Sequence, residues 1–300
     1  MPLERTLPIH QVMLSDRRRL EQYKAALQAA VQSHHVIADV GCGTGILALF
    51  AASAGVRKVY AIDVDPDIVQ IAYQIVLANG MADKITVVHA DATDLRLREP
   101  VDGIVTEMMG NFGPEEQMES TLRGFISQNL KPGGYVIPES VETFLHAVEY
   151  QDEFTGVWEK NFMGMDLSCV SSKVRSSAAL YFFVHPPKLL APPIRVSLAL
   201  FGEEVRTEEI RNMTSIPVME AGVLHGFVGS FRAKLSQGVV LSNFPSYPGC
   251  NWATWNWPVS RTPVQRGDSL SIELNSHGNH PDVTTWHLHW LHIARQEATS

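Results

Sequence analysis

The residues 106–120, T-E-M-M-G-N-F-G-P-E-E-Q-M-E-S, place four glutamates, Glu107, Glu115, Glu116 and Glu119, among three methionines, two glycines and a proline. Carboxylates crowded in this way repel one another unless a cation sits among them. Such a loop can grip a positively charged group, orient it and receive a proton from it. A second segment with chemical potential is V-I-A-D-V-G-C-G-T-G-I-L, where Gly41, Gly43 and Gly45 follow Asp39. Glycines between a strand and a helix permit a tight turn and let a ligand approach the backbone.

The elements that must position these groups are legible as two halves with different periods. Residues 36–137 alternate short apolar strands with helical patterns: H-V-I-A-D-V-G, T-G-I-L-A-L-F-A-A-S-A-G, K-V-Y-A-I-D-V-D, P-D-I-V-Q-I-A-Y-Q-I-V-L-A-N-G, K-I-T-V-V-H-A-D and V-D-G-I-V-T-E. That alternation predicts an α/β unit with a parallel sheet covered on both faces. Beyond L-K-P-G-G-Y-V-I-P-E-S the period changes to two, in A-L-Y-F-F-V, I-R-V-S-L-A-L-F-G, G-F-V-G-S-F-R-A-K-L, S-L-S-I-E-L-N and T-T-W-H-L-H-W-L-H-I. A mostly antiparallel second domain, sandwich or barrel, is expected there. The expected organisation is a helical segment 1–35, an α/β domain 36–138 and a β domain 139–300. Residues 151–190 form an irregular arm rich in large apolar side chains.

Composition narrows the function. Apolar residues make up 45% and charged residues 19%, an ordinary globular balance. A net charge of −8 lacks the basic face that nucleic-acid binding needs and suits a basic partner mildly. Cys42, Cys169 and Cys250 are scattered, with neither disulfide nor zinc spacing. The segment M-P-L-E-R-T-L-P-I-H-Q-V-M-L has no apolar core of signal-peptide length, and no run approaches membrane-spanning length, so a cytoplasmic location without membrane partners is expected. His287, His289 and His292 have no carboxylate or cysteine cluster beside them, so no metal is expected.

The glycine spacing separates two ligand classes. Nicotinamide-binding chains show G-x-G-x-x-G, but Ile46 stands where the third glycine would be. G-x-G-x-G after Asp39 resembles instead the first motif of class I S-adenosylmethionine-dependent methyltransferases. Asp63 closes the second strand, where an acid can accept hydrogen bonds from both ribose hydroxyls. The resemblance sets Asp91, with Ala92 beside it, at the adenine amine. Each acid alone also reads as a helix cap, as Asp65 before Pro66 does.

The glutamates make the resemblance narrower. Protein arginine methyltransferases carry a double-glutamate loop, S-E-W-M-G-Y, with a second glutamate nine residues after the first and a methionine two later. This chain is similar through Glu107, Met109, Gly110, Glu116 and Met118. D-V-G-C-G-T-G-I-L-A-L-F-A-A-S-A-G-V-R-K-V-Y-A-I-D, L-K-P-G-G-Y-V-I-P-E-S and G-M-D-L-S-C-V resemble the family's first motif, domain junction and dimerisation arm. I-H-Q-V-M-L-S-D-R-R-R resembles its I-H-E-E-M-L-x-D helix, which implies His10, Met13 and Arg19 beside the cofactor, Arg19 on its carboxylate. Glu107 borders the cofactor as well as the acceptor in that scheme. Arg19 also reads as a solvated charge in D-R-R-R.

The family scheme implies that Glu107 and Glu116 grip a guanidinium, Glu115 and Glu119 being helix-start charges. Met13 and Met118 would bias the product toward asymmetric dimethylation. Two family features differ: the Y-F-x-x-Y helix has no counterpart in the eight residues before Ile9, and Asn251 precedes Trp252 where T-H-W has histidine. Met118, Asn251 and Trp252 are nonetheless the expected acceptor-pocket residues. Trp252, Trp255 and Trp257 offer aromatic faces for a cation, or serve as core of the second domain. The acceptor is therefore arginine in a protein or peptide, or a small guanidine such as free arginine, or an amine. A non-catalytic scaffold is the reading of another class. The arm implies a homodimer.

Overall fold

A computed structural model describes residues 3–295 apart from 114, 151–156, 159, 172, 174–177, 184, 210–212, 245–251, 276–282 and 284–285. The chain opens on two helices, α1 (Leu3–Ser15) and α2 (Arg17–Ala30). They are separated at Asp16, whose carboxylate accepts the N–H of Arg19 at 3.0 Å and so caps the second helix. The buried stripe of α2 is Arg19, Tyr23, Ala26 and Leu27, a spacing of one helical face with an arginine at its head.

Strands and helices then alternate: β1 (Val36–Val40), α3 (Ile46–Ser53), β2 (Lys58–Asp63), α4 (Pro66–Ala78), β3 (Ile85–His89), β4 (Val101–Thr106), α5 (Met118–Asn129) and β5 (Leu130–Ile137). The five strands form one parallel sheet in the order β3-β2-β1-β4-β5. All five residues of β1 are buried, as a strand covered on both faces must be. The order reverses between β1 and β4, which opens a crevice at the carboxyl ends of those two strands. The glycine loop leaves β1 there and the glutamate loop leaves β4, so the two chemical segments meet through topology alone. Strand β5 was not among the expected strands because Pro132, Gly133 and Gly134 sit inside it.

From Ser140 the strands are antiparallel: β6 (Ser140–Glu149), β7 (Ala179–Tyr181), β8 (Lys188–Leu189), β9 (Ile194–Phe201), β10 (Val205–Glu209), β11 (Thr214–Pro217), β12 (Gly222–Ser236), β13 (Val239–Ser242), β14 (Thr254–Val264), β15 (Ser269–Asn275) and β16 (His287–Ile293). One sheet runs β10-β9-β6-β12-β14-β7, with β13 on β12 and β8 on β6, and a second runs β11-β15-β16. The described pairings make two sheets and no closed barrel. Strand β14 passes through the tryptophan-rich stretch, whose prolines hid its period.

A single apolar cluster joins the halves. Tyr23 and Leu27 of α2 pack with the parallel sheet and with Phe231, Ala233 and Leu235 of β12. Ser236 Oγ donates to the carbonyl of Ala26 at 3.1 Å, a buried tie between β12 and α2. Trp257 is buried in a second cluster with Leu145, Phe227 and Leu270. His287 and His289 are exposed on β16, while His292 pairs with Asp268 at 2.7 Å. No three metal-ligating side chains gather among the described residues.

Helix α5 is tied at its C-terminal end to the β3–β4 connection through Asn129. Its amide accepts from Leu97 N–H at 2.8 Å and donates to the carbonyls of Leu95 at 2.8 Å and Phe125 at 3.0 Å. Asn129→Ala removes the partner of the part-buried Leu97 N–H and Leu95 carbonyl. The expected loss is about 1–3 kcal/mol, and urea unfolding of the full chain measures it.

Candidate active site

The wall of the crevice starts with the glycine loop. Gly41 and Gly43 have φ of 69° and 51°, left-handed values that disfavour side chains. An added Cβ would also lie 2.7 Å from Met108 Sδ at Gly41 and 2.8 Å from His10 Cε1 at Gly43, so the loop is packed from both sides. Asp63 holds the loop in place: one carboxylate oxygen accepts Gly43 N–H at 2.8 Å and the other accepts Asp65 N–H at 3.0 Å. A carboxylate offers about four acceptor positions, so each oxygen keeps capacity for a hydroxyl. Asp39 lies beneath, fully buried, accepting Ala48 N–H at 2.9 Å and organising the start of α3. Burial pushes its pKa up to about 7, against the Ala48 bond and with the help of Asp63.

The other wall belongs to Arg19 and the glutamates. Arg19 is 5% exposed, with Nη1 3.0 Å from Glu107 Oε2 and its guanidinium carbon 3.4 Å from the centre of the Trp252 ring. Its Nε is 3.7 Å from Asp16, an ion pair too long for a hydrogen bond. Trp252 is itself held edge-on by Phe231, 5.1 Å between centroids. Glu107 Oε1 is buried without a hydrogen-bond partner among the described residues, which leaves an open acceptor on a largely buried side chain. Burial raises the Glu107 pKa to about 7; Arg19 opposes that shift and Glu116 reinforces it. Glu116 stands at the solvent-open mouth, where the surrounding protein still raises its pKa and Arg19 opposes.

These groups line a cavity of about 250 Å³ with His10, Met13, Gly41, Gly43, Asp63 and Met108. Burial lowers the His10 pKa, with Asp63 and Asp65 acting the other way. Of the residues expected at the site, Arg19, Glu107 and Glu116 are brought together with these cofactor-side residues. Others are not in that wall. Asp39 and Gly45 sit behind it, one under α3 and the other as its N-cap. Asp91 is exposed, turned to Thr93 N–H at 2.8 Å, and Ala92 is packed in the core. Met118 is fully buried on the inner face of α5 with Leu122 and Phe125 and is not in the wall of this cavity. Trp252 reaches the site only through Arg19, and Asn251 lies outside the described residues. Sequence reasoning missed Tyr23 and Met108 as wall residues. Tyr23 carries a detectable signal, a polar aromatic on the buried stripe of α2, and its hydroxyl donates to Thr106 carbonyl at 2.8 Å.

A parallel sheet with an acid-and-glycine crevice at its switch point defines the class: a nucleoside-cofactor-binding domain of the methyltransferase type. Residues 22–139 match the family model for ribosomal protein L11 methyltransferase (PrmA). The chain is 30% identical over 260 residues to protein arginine N-methyltransferase 6 of Xenopus tropicalis, covering 81% of this chain and 76% of that one. A probable protein arginine N-methyltransferase 6 of Arabidopsis thaliana is 35% identical over 176 residues, 57% of this chain and 40% of the relative. In fold the chain matches a Trypanosoma brucei PRMT1 enzyme-prozyme heterotetrameric complex with AdoHcy, with a TM-score of 0.77 at 21% identity over 95% of this chain and 98% of that one. The chain belongs to the protein arginine N-methyltransferase family. It is an S-adenosylmethionine-dependent methyltransferase.

The residues present fit that cofactor: Arg19 offers a cation for its carboxylate, Asp63 has acceptor capacity left for ribose hydroxyls, and the crowded glycine loop admits a ligand against bare backbone. Asp63→Ala removes a carboxylate with spare acceptor capacity at the cavity wall and its tie to Gly43. The expected loss of affinity for the demethylated cofactor is about 1–3 kcal/mol, read by calorimetry.

Proposed function

We propose that the acceptor is an arginine side chain of a protein or peptide, held by Glu107 and Glu116 while one of its nitrogens receives the methyl group. The observation that carries this reading is Glu107 Oε1, a buried carboxylate oxygen with no described hydrogen-bond partner beside a second acid in the same cavity. Such an oxygen is costly to keep unless a donor arrives, and a guanidinium brings several donors in a planar fork. Guanidinium nitrogens are poor nucleophiles because their lone pairs are delocalised. Two carboxylates gripping the group draw charge toward the bound edge and orient the free nitrogen, so catalysis is largely positioning. S-adenosylmethionine supplies the electrophilic methyl group when bound. Arg19 would pair with its carboxylate, Asp63 would accept from its ribose, and His10 and Met13 would close the crevice from α1. The proton released from the acceptor passes to Glu107 or Glu116; burial raises both pKa values, that of Glu107 to about 7, which suits it as a proton acceptor near neutral pH.

Free arginine or another small guanidine presents the same fork. Labelled-methyl transfer to arginine-rich peptides, histone-like proteins and free arginine separates these acceptors. Transfer to free arginine alone would sink the peptide reading.

Ionised Glu107 is the form that binds a cation. Because burial raises its pKa to about 7, that form is lost as pH falls below 7 and gained as pH rises through it. The kcat/KM for a peptide acceptor should therefore climb between about pH 6 and pH 8. Glu107→Gln and Glu116→Gln should each remove most transfer, about 100-fold or more, with cofactor affinity nearly unchanged. The residual rate of the Glu107→Gln variant should lose the pH limb. A normal rate in the Glu116→Gln variant would reassign the second acid.

The arm supports a homodimer. Trp158, Met163 and Met165 are exposed within it, and Ile9, Val12, Val64, Tyr73 and Leu77 are exposed on the first domain around α1 and α4. Two apolar surfaces on one chain satisfy each other in a two-fold pair. Light scattering should give a dimer at micromolar concentration. Trp158→Ala/Phe162→Ala should give monomers with weakened cofactor binding, since the covered face includes α1.

A further inference from the structure

The remaining acid of the loop, Glu115, has no part in the chemistry described so far, yet it is the most fully bonded. Its Oε2 accepts Phe112 N–H at 3.0 Å and its Oε1 accepts the indole N–H of Trp255 on β14 at 2.8 Å. Burial raises the Glu115 pKa to about 7, while the Phe112 N–H and the Trp255 indole favour its charged form, so a backbone donor and an indole hold the two oxygens of one carboxylate. An added Cβ at Gly110 would run into this side chain, so it lies against the loop's own backbone. Glu115 is not in the cavity wall. A second tie from the same domain grips the neighbouring residue: Asn243 donates to the carbonyls of Asn111 at 2.6 Å and Ala253 at 3.0 Å, and accepts Phe231 N–H at 2.7 Å.

Between Glu107 and Glu116 the chain has two glycines, and among the described residues its own backbone bonds there are the N–H groups of Gly110 and Glu115 on the Gly113 carbonyl, both at 2.8 Å. These bonds close a turn within the loop, and Thr143 of β6 adds a tie from the second domain by donating to the Phe112 carbonyl at 3.2 Å. Catalytic groups need placement to within about 0.5 Å, so the ties to the second domain decide the matter. We propose that Glu115 is a positioning residue that clamps the glutamate loop to Trp255, so that strand β14 sets the stance of Glu107 and Glu116. Its two partners are donors, one on each oxygen, a demand a carboxylate meets and an amide does not. The clamp rests on the reading of Glu107 and Glu116 as the guanidinium-binding pair.

The test uses the full chain with Glu115→Gln, Trp255→Phe and the double variant. Trp255→Phe keeps an aromatic ring and deletes the N–H, so it stays informative where Glu115→Gln folds poorly. Each single variant should lower kcat by about 10- to 100-fold, the scale of a small misplacement. Affinity for the demethylated cofactor should stay within about twofold, and amide exchange should quicken at Asn111 and Phe112. The double variant should be no slower than the worse single one, because both delete one interaction. A Trp255→Phe enzyme with wild-type kcat and exchange would overturn the clamp, as would additive losses. Lowered melting temperature with kcat intact would also overturn it. Wild-type transfer to arginine peptides tests the acceptor reading, whereas amide exchange needs no acceptor, so the two fail separately.

Discussion

Everything around the crevice answers to one electrostatic constraint: several carboxylates are gathered at the ends of β1, β2 and β4, with the buried cation Arg19 among them. Taking carboxylates from water is expensive, and Arg19 neutralises only part of that cost. Burial accordingly lifts Glu107 and Asp39 to about 7. Holding Arg19 in place is therefore a task for the whole fold. The Asp16 cap sets the helix start, the Trp252 ring covers the guanidinium, and Glu107 takes one of its nitrogens. Tyr23 fastens the same helix to Thr106, the residue before Glu107, so cation and acid are fixed by one piece of secondary structure.

The second domain is part of this arrangement rather than an appendage. Trp252 comes from the segment leading into β14, Asn243 from the end of β13, and Ser236 from the end of β12. Each reaches a different component of the site: the arginine, the glutamate loop, and the helix carrying the arginine. The β sheets thus hold three parts of the α/β domain's site in register. This explains why one apolar cluster runs through both halves.

The acceptor side carries this chain's individuality. It is bordered by a tryptophan-rich segment, Trp252, Trp255 and Trp257. Of the three tryptophans, Trp257 serves the core, Trp255 bonds to Glu115, and Trp252 faces a cation, which is Arg19. The aromatic surface thus acts on the protein's own groups.

The sequence by itself determined the α/β class, the change of period after residue 137, the glycine turn, and the spacing of Glu107 and Glu116. Those features are local: periodicity follows from which face is buried, and glycine follows from backbone angles. Asp63 was legible as an acid at a strand end, whereas Arg19 stood out only through the family resemblance, since D-R-R-R by itself also reads as a solvated charge. Only the tertiary structure decided that Asp91 faces solvent, that Met118 belongs to the core, and that Glu115 bonds across 140 positions to Trp255. Neighbouring glutamates look alike in sequence because exposure and hydrogen-bond donors are supplied by distant strands. A carboxylate's role is set by what surrounds it, and that is settled only when the two domains close on the loop.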